Sequence, residues 1–383
     1  MAIVSLFRMQ NANPDVAMRL DRASDVLTER PPSRGARLPE GRPSETVSRP
    51  GWNTATADQA LIVIPCLNEA PIIAEVIAGI LQDDGLKRPL VVVADGGSTD
   101  GCLEIVRRLA AQDDRIRLLP NPKRLQGAGV NLAALGAAPG TTWLVRVDAH
   151  AVYPPNYVST LIAEARRTDA TSVVVGMDTQ GTGFFQRAVA AAQNSRLGAG
   201  GSAHRNGGAA AWVDHGHHAL FSLAAFRAVG GYDESFSHNE DAELDIRLVR
   251  QGGRIWLTDK AQIVYHPRRG PQALWRQYFH YGKGRARTVL KHRTRLRLRQ
   301  ALPLAVAPAI LLAAAAPWAW PLALPAVGWA GLSLTYGLAL GLRRRDAASA
   351  LSGLPAMVMH LAWSAGFWSA LLRERLTAAR RGG

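Results

Sequence analysis

The feature that most constrains this chain is a run of 42 residues, 301–342, without a single charged side chain. A transmembrane helix needs about 20 consecutive apolar residues, so the run has room for two. Pro317, Pro321 and Pro325 mark the expected break between them. Basic residues flank the run on both sides, and positive charge stays on the cytoplasmic side of a membrane. The pattern therefore predicts a transmembrane hairpin over 300–342 with both ends in the cytoplasm.

A second apolar stretch follows at 347–372, where His360 is the only ionisable side chain. If this stretch crossed the membrane, the basic tail after it would lie outside, against the usual distribution of positive charge. A third membrane helix and a helix lying in the membrane interface therefore both remain open for 343–383. The alternative for all these apolar segments is burial in a protein core.

The positive charge of the chain, formally +15, is concentrated beside the apolar run. Residues 268–299 hold eleven basic and no acidic side chains, and residues 343–383 hold seven and two. Residues 58–267 hold 19 basic and 22 acidic ones. Anionic lipid attracts Lys and Arg, whereas a nucleic-acid-binding protein carries its positive charge on the folded domain. We expect a basic juxtamembrane segment at 268–299, a membrane partner and no nucleic acid.

The first 57 residues are rich in Pro, Arg, Ser and Thr and have no sustained hydrophobic period. This composition predicts a disordered tail over 1–57 and does not match a signal peptide. Met9 and Met18 remain open as the true start. The two cysteines, Cys66 and Cys102, lack the spacing of a metal site, and so few cysteines favour a reducing compartment.

Short apolar runs rich in β-branched residues alternate with helical patterns from residue 58 onward. Strands are predicted over 60–65, 89–95, 115–120, 142–148 and 171–176. Helices are predicted over 70–82, 99–112, 127–138, 155–167, 240–251 and 271–291. The glycine-rich stretch 198–208 predicts a mobile loop. Alternating strands and helices imply the α/β class, with a parallel sheet covered by helices on both faces.

Four polar motifs stand at the ends or starts of these elements. PCLNE (65–69), ADGGSTDG (94–101) and VDAH (147–150) each end a predicted strand, and SHNEDAELDIR (237–247) opens a predicted helix. In an open parallel sheet, ligands bind at the carboxyl ends of the strands. Three of the motifs are therefore expected at one edge of the sheet.

Asp95 is a candidate contact to a nucleotide. Its carboxylate can accept hydrogen bonds from a base N–H or from ribose hydroxyls, and Gly96 and Gly97 allow close approach. The alternative is that this run is only a turn and a helix cap. Both interpretations remain open on these residues alone.

Asp148 and His150 are candidate metal ligands. Side chains one residue apart at a strand end point to the same side. A divalent cation there would offset the charge of a diphosphate leaving group. A carboxylate with an imidazole is compatible with Mn²⁺, while Mg²⁺ prefers oxygen ligands.

Asp241 is the candidate general base. Sugar transfer by direct displacement needs a group that takes the proton from the acceptor hydroxyl, and a carboxylate at a helix start is oriented and accessible. The alternative is an acidic first turn that the helix dipole favours.

Together these motifs resemble the family 2 glycosyltransferases, inverting enzymes with the GT-A fold, over about 58–267. The likeness rests also on NPKRLQGAGVNLA (121–133) and GGYDESF…NEDAELDIRL (230–248). It implies a nucleotide-sugar donor, a metal at Asp148 and His150, and Asp241 as base. The implied nucleotide site comprises Pro65, Asn68, Glu69, Asp95, Gly97, Ser98, Lys123, Gly127 and Asp148. His150 departs from the family's D-x-D metal motif, which leaves the choice between Mn²⁺ and Mg²⁺ open.

Within the family, the chain is most similar to bacterial exopolysaccharide transferases of the succinoglycan biosynthesis type. GGSTDG, the D-A-H variant, VDHGHHALF and WRQYFHYGKGRA (275–286) carry this likeness. It implies a polyprenyl-diphosphate-linked saccharide acceptor and a catalytic domain on the cytoplasmic face of a bacterial plasma membrane. Glu240, His218 and Gln277 are expected near the acceptor or phosphate. Gln277 stands where a membrane subgroup has Q-x-x-R-W, but no Trp follows it here.

The expected function is an inverting hexosyl transfer from a nucleotide-sugar, with UDP as the expected carrier. One alternative is a polyprenyl-phosphate sugar synthase, and another is a membrane-bound nucleotide-sugar binder or scaffold without turnover. The dense histidines His215, His217 and His218 predict a strand lining the acceptor pocket, with a second metal site as the alternative.

Overall fold

The computed structural model describes residues 60–200, 205, 209–217 and 219–382. The predicted N-terminal tail, most of the predicted glycine-rich loop and His218 lie outside the described residues.

Within the described residues, eight strands form one mixed sheet. They are β1 (Ala60–Cys66), β2 (Leu90–Asp95), β3 (Ile116–Pro120), β4 (Trp143–Arg146), β5 (Ser172–Thr179), β6 (Ala211–Val213), β7 (Ala219–Ser222) and β8 (Ile255–Tyr265). Their order is β3-β2-β1-β4-β7-β5-β8-β6. The β1–β2, β1–β4, β2–β3 and β5–β8 pairs are parallel, whereas β6 and β7 run antiparallel to their neighbours. The prediction of a mostly parallel sheet is confirmed.

The helices connect the strands and then form the C-terminal region. In chain order they are α1 (Ile73–Leu81), α2 (Cys102–Gln112), α3 (Gln126–Leu135), α4 (Tyr157–Thr168), α5 (Phe184–Gln193), α6 (Arg196–Ala199), α7 (Leu223–Ala228), α8 (Glu240–Arg250), α9 (Pro271–His292), α10 (Leu298–Ala301), α11 (Val306–Ala313), α12 (Leu324–Arg344), α13 (Ala347–Ala350) and α14 (Gly353–Gly382). Short 3₁₀ helices lie at Leu302–Ala305 and Trp320–Ala323. The predicted helices are present, with ends that differ by a few residues.

The hydrophobic core lies on both faces of the sheet. Ile62 and Ile64 of β1 pack with α1, α2 and α4 on one face. Leu61 and Val63 pack with α3, α7 and α8 on the other. Successive side chains of a strand point to opposite faces, so a strand between two helical layers has no polar face and reads as one continuous apolar run.

The strand predicted at the histidine cluster is not present in the described residues 214–217, which lie between β6 and β7. Three observed strands, in turn, escaped the sequence interpretation. β6 and β7 span only three and four residues, too few for a periodic pattern. β8 is longer, but polar residues interrupt its apolar run, and its register against β5 shifts between Val175 and Gly176.

The charge-free run does not form two long helices. Among the described residues, one helical segment, Trp320–Arg344, is long and apolar enough to cross a membrane, and only 11% of its most apolar stretch is buried. The first half of the predicted hairpin is the shorter apolar segment Leu302–Ala313, about 18 Å long at 1.5 Å per residue. The expectation of two full spans over 300–342 therefore has to be corrected. The segment ends at Ala313, and the turn at 314–318 that follows contains Pro317, which cannot continue a helix.

The second apolar stretch lies mostly in α14, which packs along α9. Ala356 and Met359 of α14 are buried against Leu274 of α9, and Phe367 is buried beside Ala286. The second apolar stretch therefore packs with one face against the basic helix α9. This packing brings the C-terminal region next to the sheet domain.

Candidate active site

Three of the predicted motifs meet at the carboxyl edge of β1, β2 and β4. In the sheet register, Cys66 at the end of β1 is paired with Asp95 at the end of β2. Val63 of β1 is paired with Arg146 at the end of β4, so Asp148 follows β4 at nearly the same level. Neighbouring strands are about 4.8 Å apart, and the side chains that follow these strands therefore share one small region.

The loops after β1 and β2 are joined by hydrogen bonds. The backbone N–H of Asn68 donates to Ser98 Oγ over 2.8 Å, and the Thr99 N–H donates to Asn68 Oδ1 over 2.8 Å. Asn68 has a φ of 59°, a left-handed conformation that Asn tolerates better than most residues. The two motifs are thus a single preorganised unit.

Asp95 organises its own turn. Its Oδ2 accepts the N–H groups of Gly97 and Ser98 over 2.7 and 3.0 Å, and Ser98 Oγ donates to Oδ1. Gly97 has a φ of +86°, which glycine adopts without strain. Asp95 is buried, and it does not line the cleft that is lined by Asp148 and Asp241. The turn interpretation accounts for these contacts, and a nucleotide contact by Asp95 stays a prediction.

Asp148 and Asp241 are brought together by a buried arginine. Arg146 Nε lies 3.0 Å from Asp148 Oδ1, and Arg146 Nη1 lies 2.8 Å from Asp241 Oδ1. Asp241 is the second residue of α8, so residues 95 positions apart meet at one guanidinium. The carboxylates predicted for the metal and for the base therefore share one site.

Arg146 has three further partners that sequence reasoning missed. Its Nη2 donates to Gln126 Oε1 over 2.7 Å, and Nη1 lies 3.3 Å from Glu240 and 3.4 Å from the Tyr232 hydroxyl. The arginine is only 2% exposed. One signal was present in the sequence: Arg146 is the single charged residue in an otherwise apolar strand, two residues before Asp148, and therefore points to the same side.

The two carboxylates at the start of α8, Glu240 and Asp241, have pKa values shifted in opposite directions. Burial opposes ionisation of Asp241, but the charge of Arg146 and the hydrogen bonds from His217 and Tyr232 outweigh it and hold the pKa of Asp241 well below its usual value. Burial and the neighbouring Asp241 charge raise the pKa of Glu240 to about 7. Asp241 is thus ionised at neutral pH, while Glu240 is close to its midpoint.

Two of the clustered histidines contact acidic residues of α8. His217 Nδ1 lies 3.0 Å from Asp241 Oδ2, and His215 Nδ1 lies 2.8 Å from Asp245 Oδ2. Both histidines line the cleft, and their assignment to an acceptor pocket stays a prediction. Each is paired with a different carboxylate, a pattern that does not suggest a second metal site.

His150 lies beside Glu69. The distance from His150 Nδ1 to Glu69 Oε1 is 3.4 Å. Burial disfavours the imidazolium, but Glu69 and the charge of Asp148 outweigh it, and the pKa of His150 is raised. Glu69 is 1% exposed, and its Oε2 has no hydrogen-bond partner among the described residues. Asp148 and His150 offer an oxygen and a nitrogen donor, a pair compatible with a divalent cation, and the buried carboxylate of Glu69 lies beside them.

A different group meets the geometric requirement for three metal ligands in the described part of the chain. Cys66, Asp95 and Cys102 place their ligand atoms within 4.8 Å of one another. The two sulfurs are 3.0 Å apart, and both side chains are buried. Asp95 already accepts three hydrogen bonds in its turn, and burial together with the Cys102 hydrogen bond raises the pKa of Cys66. The two thiols contact each other and Asp95 is engaged by its own turn, so contacts within the chain account for this group.

The cleft has a cavity volume of about 430 Å³, within the range of roughly 300–1,000 Å³ that is typical of ligand sites. One group of lining residues is Asp148, His150, His217, Glu240 and Asp241, and we name this part the donor half because the resemblance predicts the donor there. The other group is Gln277, Tyr278, Tyr281 and Arg285 of α9, Pro303, and Met359 and Trp363 of α14, and we name this part the acceptor half because the resemblance predicts the acceptor near Gln277. The C-terminal helices thus form one wall of the cleft.

Gln277 is buried in the acceptor half. Its Nε2 donates to the hydroxyls of Tyr265 and Tyr281 over 2.8 and 3.0 Å. Its Oε1 has no partner among the described residues. A buried carbonyl oxygen without a donor is costly, and it offers a hydrogen-bond acceptor to a bound ligand.

Other residues of the predicted nucleotide site have structural explanations. Lys123 is exposed and paired with Glu234. A Cβ on Gly127 would lie 2.8 Å from the Cβ of Tyr232, so glycine there admits the tyrosine whose hydroxyl donates to Asp241. Pro65 lies within β1. None of the three predicted residues lines the cleft.

Comparison with known proteins agrees with this architecture. A family model described as glycosyl transferase family 2 matches residues 61–230. Succinoglycan biosynthesis protein ExoA of Rhizobium meliloti (strain 1021) is 52% identical over 324 residues, which cover 85% of this chain and 98% of that protein. Glycosyltransferase AglD of Haloferax volcanii is 35% identical over 133 residues, which cover 33% of this chain and 20% of that protein.

Among solved structures, the mannosyltransferase PcManGT from Pyrobaculum calidifontis, in complex with GDP-Man and Mn²⁺, superposes with a TM-score of 0.54. Its sequence identity is 18%, and the match covers 95% of this chain and 97% of that one. This likeness concerns the fold, which is GT-A. On the strength of its sequence relatives and this fold, the chain belongs to glycosyl transferase family 2 and is a glycosyltransferase.

Proposed function

We propose that this glycosyltransferase moves a sugar from a nucleotide-sugar, with UDP as the expected carrier, to a hydroxyl group of a lipid-linked saccharide, with inversion at the anomeric carbon. The observation that supports it most directly is one cleft in which Asp148 and Asp241 contact the same guanidinium, that of Arg146. The ExoA relative is named for succinoglycan biosynthesis, and we place this chain in bacterial exopolysaccharide synthesis.

In the donor half, Asp148 and His150 are assigned to a divalent cation, Mn²⁺ or Mg²⁺. Such a cation would offset the negative charge of the leaving diphosphate. The mixed oxygen and nitrogen donors favour Mn²⁺. The joined loops around Asn68, Asp95 and Ser98 are assigned to the nucleotide, since they stand at the same strand edge.

Asp241 is assigned as the base. It takes the proton of the acceptor hydroxyl, whose oxygen bonds to the anomeric carbon while the bond to the nucleotide diphosphate breaks on the opposite face. Both oxygens of Asp241 are engaged: Oδ1 by Arg146 and Tyr232, and Oδ2 by His217. These contacts lower its basicity, so the arriving hydroxyl has to replace one of them.

The acceptor half suits an amphipathic molecule. Tyr278, Tyr281 and Gln277 supply polar groups, and Met359 and Trp363 supply apolar surface from α14. The unpartnered Oε1 of Gln277 can accept a hydrogen bond from a sugar hydroxyl. A saccharide carried on a polyprenyl diphosphate combines these chemistries.

We further propose that the catalytic domain, 58–267, works at the cytoplasmic face of a bacterial plasma membrane. The segment Trp320–Arg344 is apolar and mostly exposed, and in the sequence the basic segment 268–299 lies between it and the catalytic domain. Anionic lipid attracts such a segment. In this arrangement 300–342 enters the bilayer and 343–383 lies along the interface.

The test is a donor screen on membranes that contain the full chain. UDP- and GDP-sugars are supplied with Mn²⁺, Mg²⁺ or chelator, and released nucleotide and lipid-linked product are measured. Asp241→Asn is expected to lower transfer by about 100-fold or more, the usual effect of removing a general base. The matched control is Asp259→Asn, since Asp259 is exposed on β8, where it lies 3.9 Å from Lys260, and it does not line the cleft.

Three outcomes would contradict parts of the proposal. Wild-type transfer by Asp241→Asn would remove Asp241 as base. Transfer to polyprenyl phosphate supplied alone would make the protein a polyprenyl-phosphate sugar synthase. Donor binding without turnover, with every acceptor tried, would make it a binder or scaffold.

A further inference from the structure

A buried carboxylate beside the proposed metal site has no evident structural role. Glu69 is 1% exposed, and one of its oxygens has no hydrogen-bond partner in the described residues. A buried acidic group normally has its oxygens satisfied, because desolvation without compensation is costly. The backbone of Glu69 is engaged, since its carbonyl accepts the N–H groups of Ile72 and Ile73 over 3.1 and 3.0 Å. The side chain therefore points to a function.

His150, which lines the cleft, faces this carboxylate. Glu69 Oε1 lies 3.4 Å from His150 Nδ1. A carboxylate facing one ring nitrogen places the proton there and leaves the other nitrogen, Nε2, as the one with a free electron pair. Metal-binding histidines are commonly oriented in this way by a carboxylate that does not touch the metal.

His150 occupies the position at which the D-x-D motif has its second Asp. An Asp there would bring one negative charge to the cation, whereas a neutral His150 brings none. Glu69 is the buried carboxylate next to it, and it comes from a loop about 80 residues earlier in the chain. The pair of Glu69 and His150 together offers a nitrogen ligand and a negative charge.

We propose that Glu69 is a positioning residue of the metal site, which fixes the tautomer and direction of His150 and supplies the charge that histidine lacks, rather than a contact to the nucleotide. This inference rests on the proposed metal site at Asp148 and His150. It predicts that Glu69 matters for cation binding only as long as position 150 is histidine.

The test is a double-mutant cycle on the detergent-purified full chain, with Mn²⁺ as the probe. Free Mn²⁺ is measured by electron paramagnetic resonance, without nucleotide and with UDP or GDP. Glu69→Gln is expected to weaken Mn²⁺ binding by about 10- to 100-fold, the range for carboxylates that orient a metal-bound histidine. In the His150→Asp background the same change should weaken binding by less than about 2-fold, because Asp needs no tautomer fixed.

A second measurement detects the ligand itself. Electron spin echo modulation from a ¹⁴N nucleus on bound Mn²⁺ is expected in the wild type, absent in His150→Ala and diminished in Glu69→Gln. The matched control is Glu104→Gln, since Glu104 is exposed on α2. Thermal unfolding of each variant identifies any that is misfolded.

Each outcome decides the matter. Equal weakening by Glu69→Gln in both backgrounds would make Glu69 a direct ligand, and the inference would be wrong. Unchanged Mn²⁺ binding with weaker UDP or GDP binding in chelator would return Glu69 to the nucleotide site, which also overturns it. A wild-type protein that binds no Mn²⁺ under any condition would overturn the proposed metal site together with this inference.

Discussion

Arg146 is the single residue on which the candidate active site most depends. It is 2% exposed and lies within 3.3 Å of carboxylate oxygens from Asp148, Glu240 and Asp241. Buried carboxylates repel one another, and the central guanidinium, together with the contacts from His217 and Tyr232, offsets that repulsion. Burial disfavours the charge of Arg146, but the charges of Asp148 and Asp241 outweigh it and raise its pKa.

Arg146→Met should therefore both destabilise and inactivate the protein. Removing one partner of a buried ion pair costs about 3–5 kcal/mol, and displacing Asp148 and Asp241 by about 1 Å is enough to cost roughly 100-fold in rate. Unfolding in detergent and transfer in membranes measure the two effects. The control is Arg117→Met, because Arg117 of β3 donates to the carbonyl of Ile116 and to no other group in the described part of the chain. Unfolding of both variants at the same temperature would disprove the structural role of Arg146.

At the scale of residues, the sequence singled out Asp148 and Asp241, which lie in one site, but it did not predict that Arg146 joins them. Asp148 and Asp241 stood out because each follows a strand or opens a helix. Tyr232 and Gln126 did not, since their contacts to Arg146 join residues 86 and 20 positions apart. Such contacts depend on how α3 and α8 pack, and local patterns contain no such information.

Among the helices, the closest packing is between α9 and α14. A Cβ on Gly282 of α9 would overlap the carbonyl oxygen of Trp363, and one on Gly366 of α14 would overlap that of Phe279. The two backbones touch where these glycines lie. Trp363 also lines the cleft, so this contact sets the position of one cleft wall.

Gly282→Ala should separate the two helices. Overpacking of this kind costs about 1–3 kcal/mol, and transfer should fall as the wall moves. Thermal unfolding in detergent and transfer in membranes are the measurements. Gly331→Ala is the matched control, because nothing lies within 4 Å of a Cβ at that position of α12 and alanine is the better helix former. Equal unfolding temperatures for both variants would show that the α9–α14 contact tolerates a methyl group.

At the level of elements, predictability followed length. The long amphipathic helices and the buried parallel strands have a period that extends over many residues, whereas β6 and β7 do not. The second apolar stretch, 347–372, stood out by its composition, but the sequence left open whether it crosses the membrane, lies in the interface or is buried in the protein. Its packing on α9 depends on glycines such as Gly282 and Gly366, whose role appears only when two backbones meet.

For the molecule as a whole, Glu164 connects the helix α4 to strand β8, about 90 residues later in the chain. Its carboxylate on α4 accepts hydrogen bonds from Arg167 over 2.8 Å, from Trp256 of β8 over 2.9 Å and from Thr258 over 3.1 Å. The Arg167 hydrogen bond, with those from Trp256 and Thr258, lowers the pKa of Glu164 to about 2.

This lowered pKa gives the fold a defined acid limit. The carboxylate binds protons more weakly in the folded chain than in the unfolded one, so its stabilisation is complete above pH 4.5 and is lost as the pH falls toward 2. Glu164→Gln should unfold at a lower temperature than wild type at pH 7, and the gap should close across that interval. Glu104→Gln serves as the exposed control. A gap that stays constant with pH would exclude an electrostatic origin.

The wall that Met359 and Trp363 give to the cleft also has a consequence for biosynthesis. Ribosomes make chains from the amino end, and domains fold in that order. The carboxylates that would hold the donor are translated first, and the helix that forms the opposite wall is translated after them. A nascent chain therefore contains the residues proposed to bind the donor before it contains the helix that forms one wall of the acceptor half. A chain terminated after the sheet domain would have the first group of residues and lack the second.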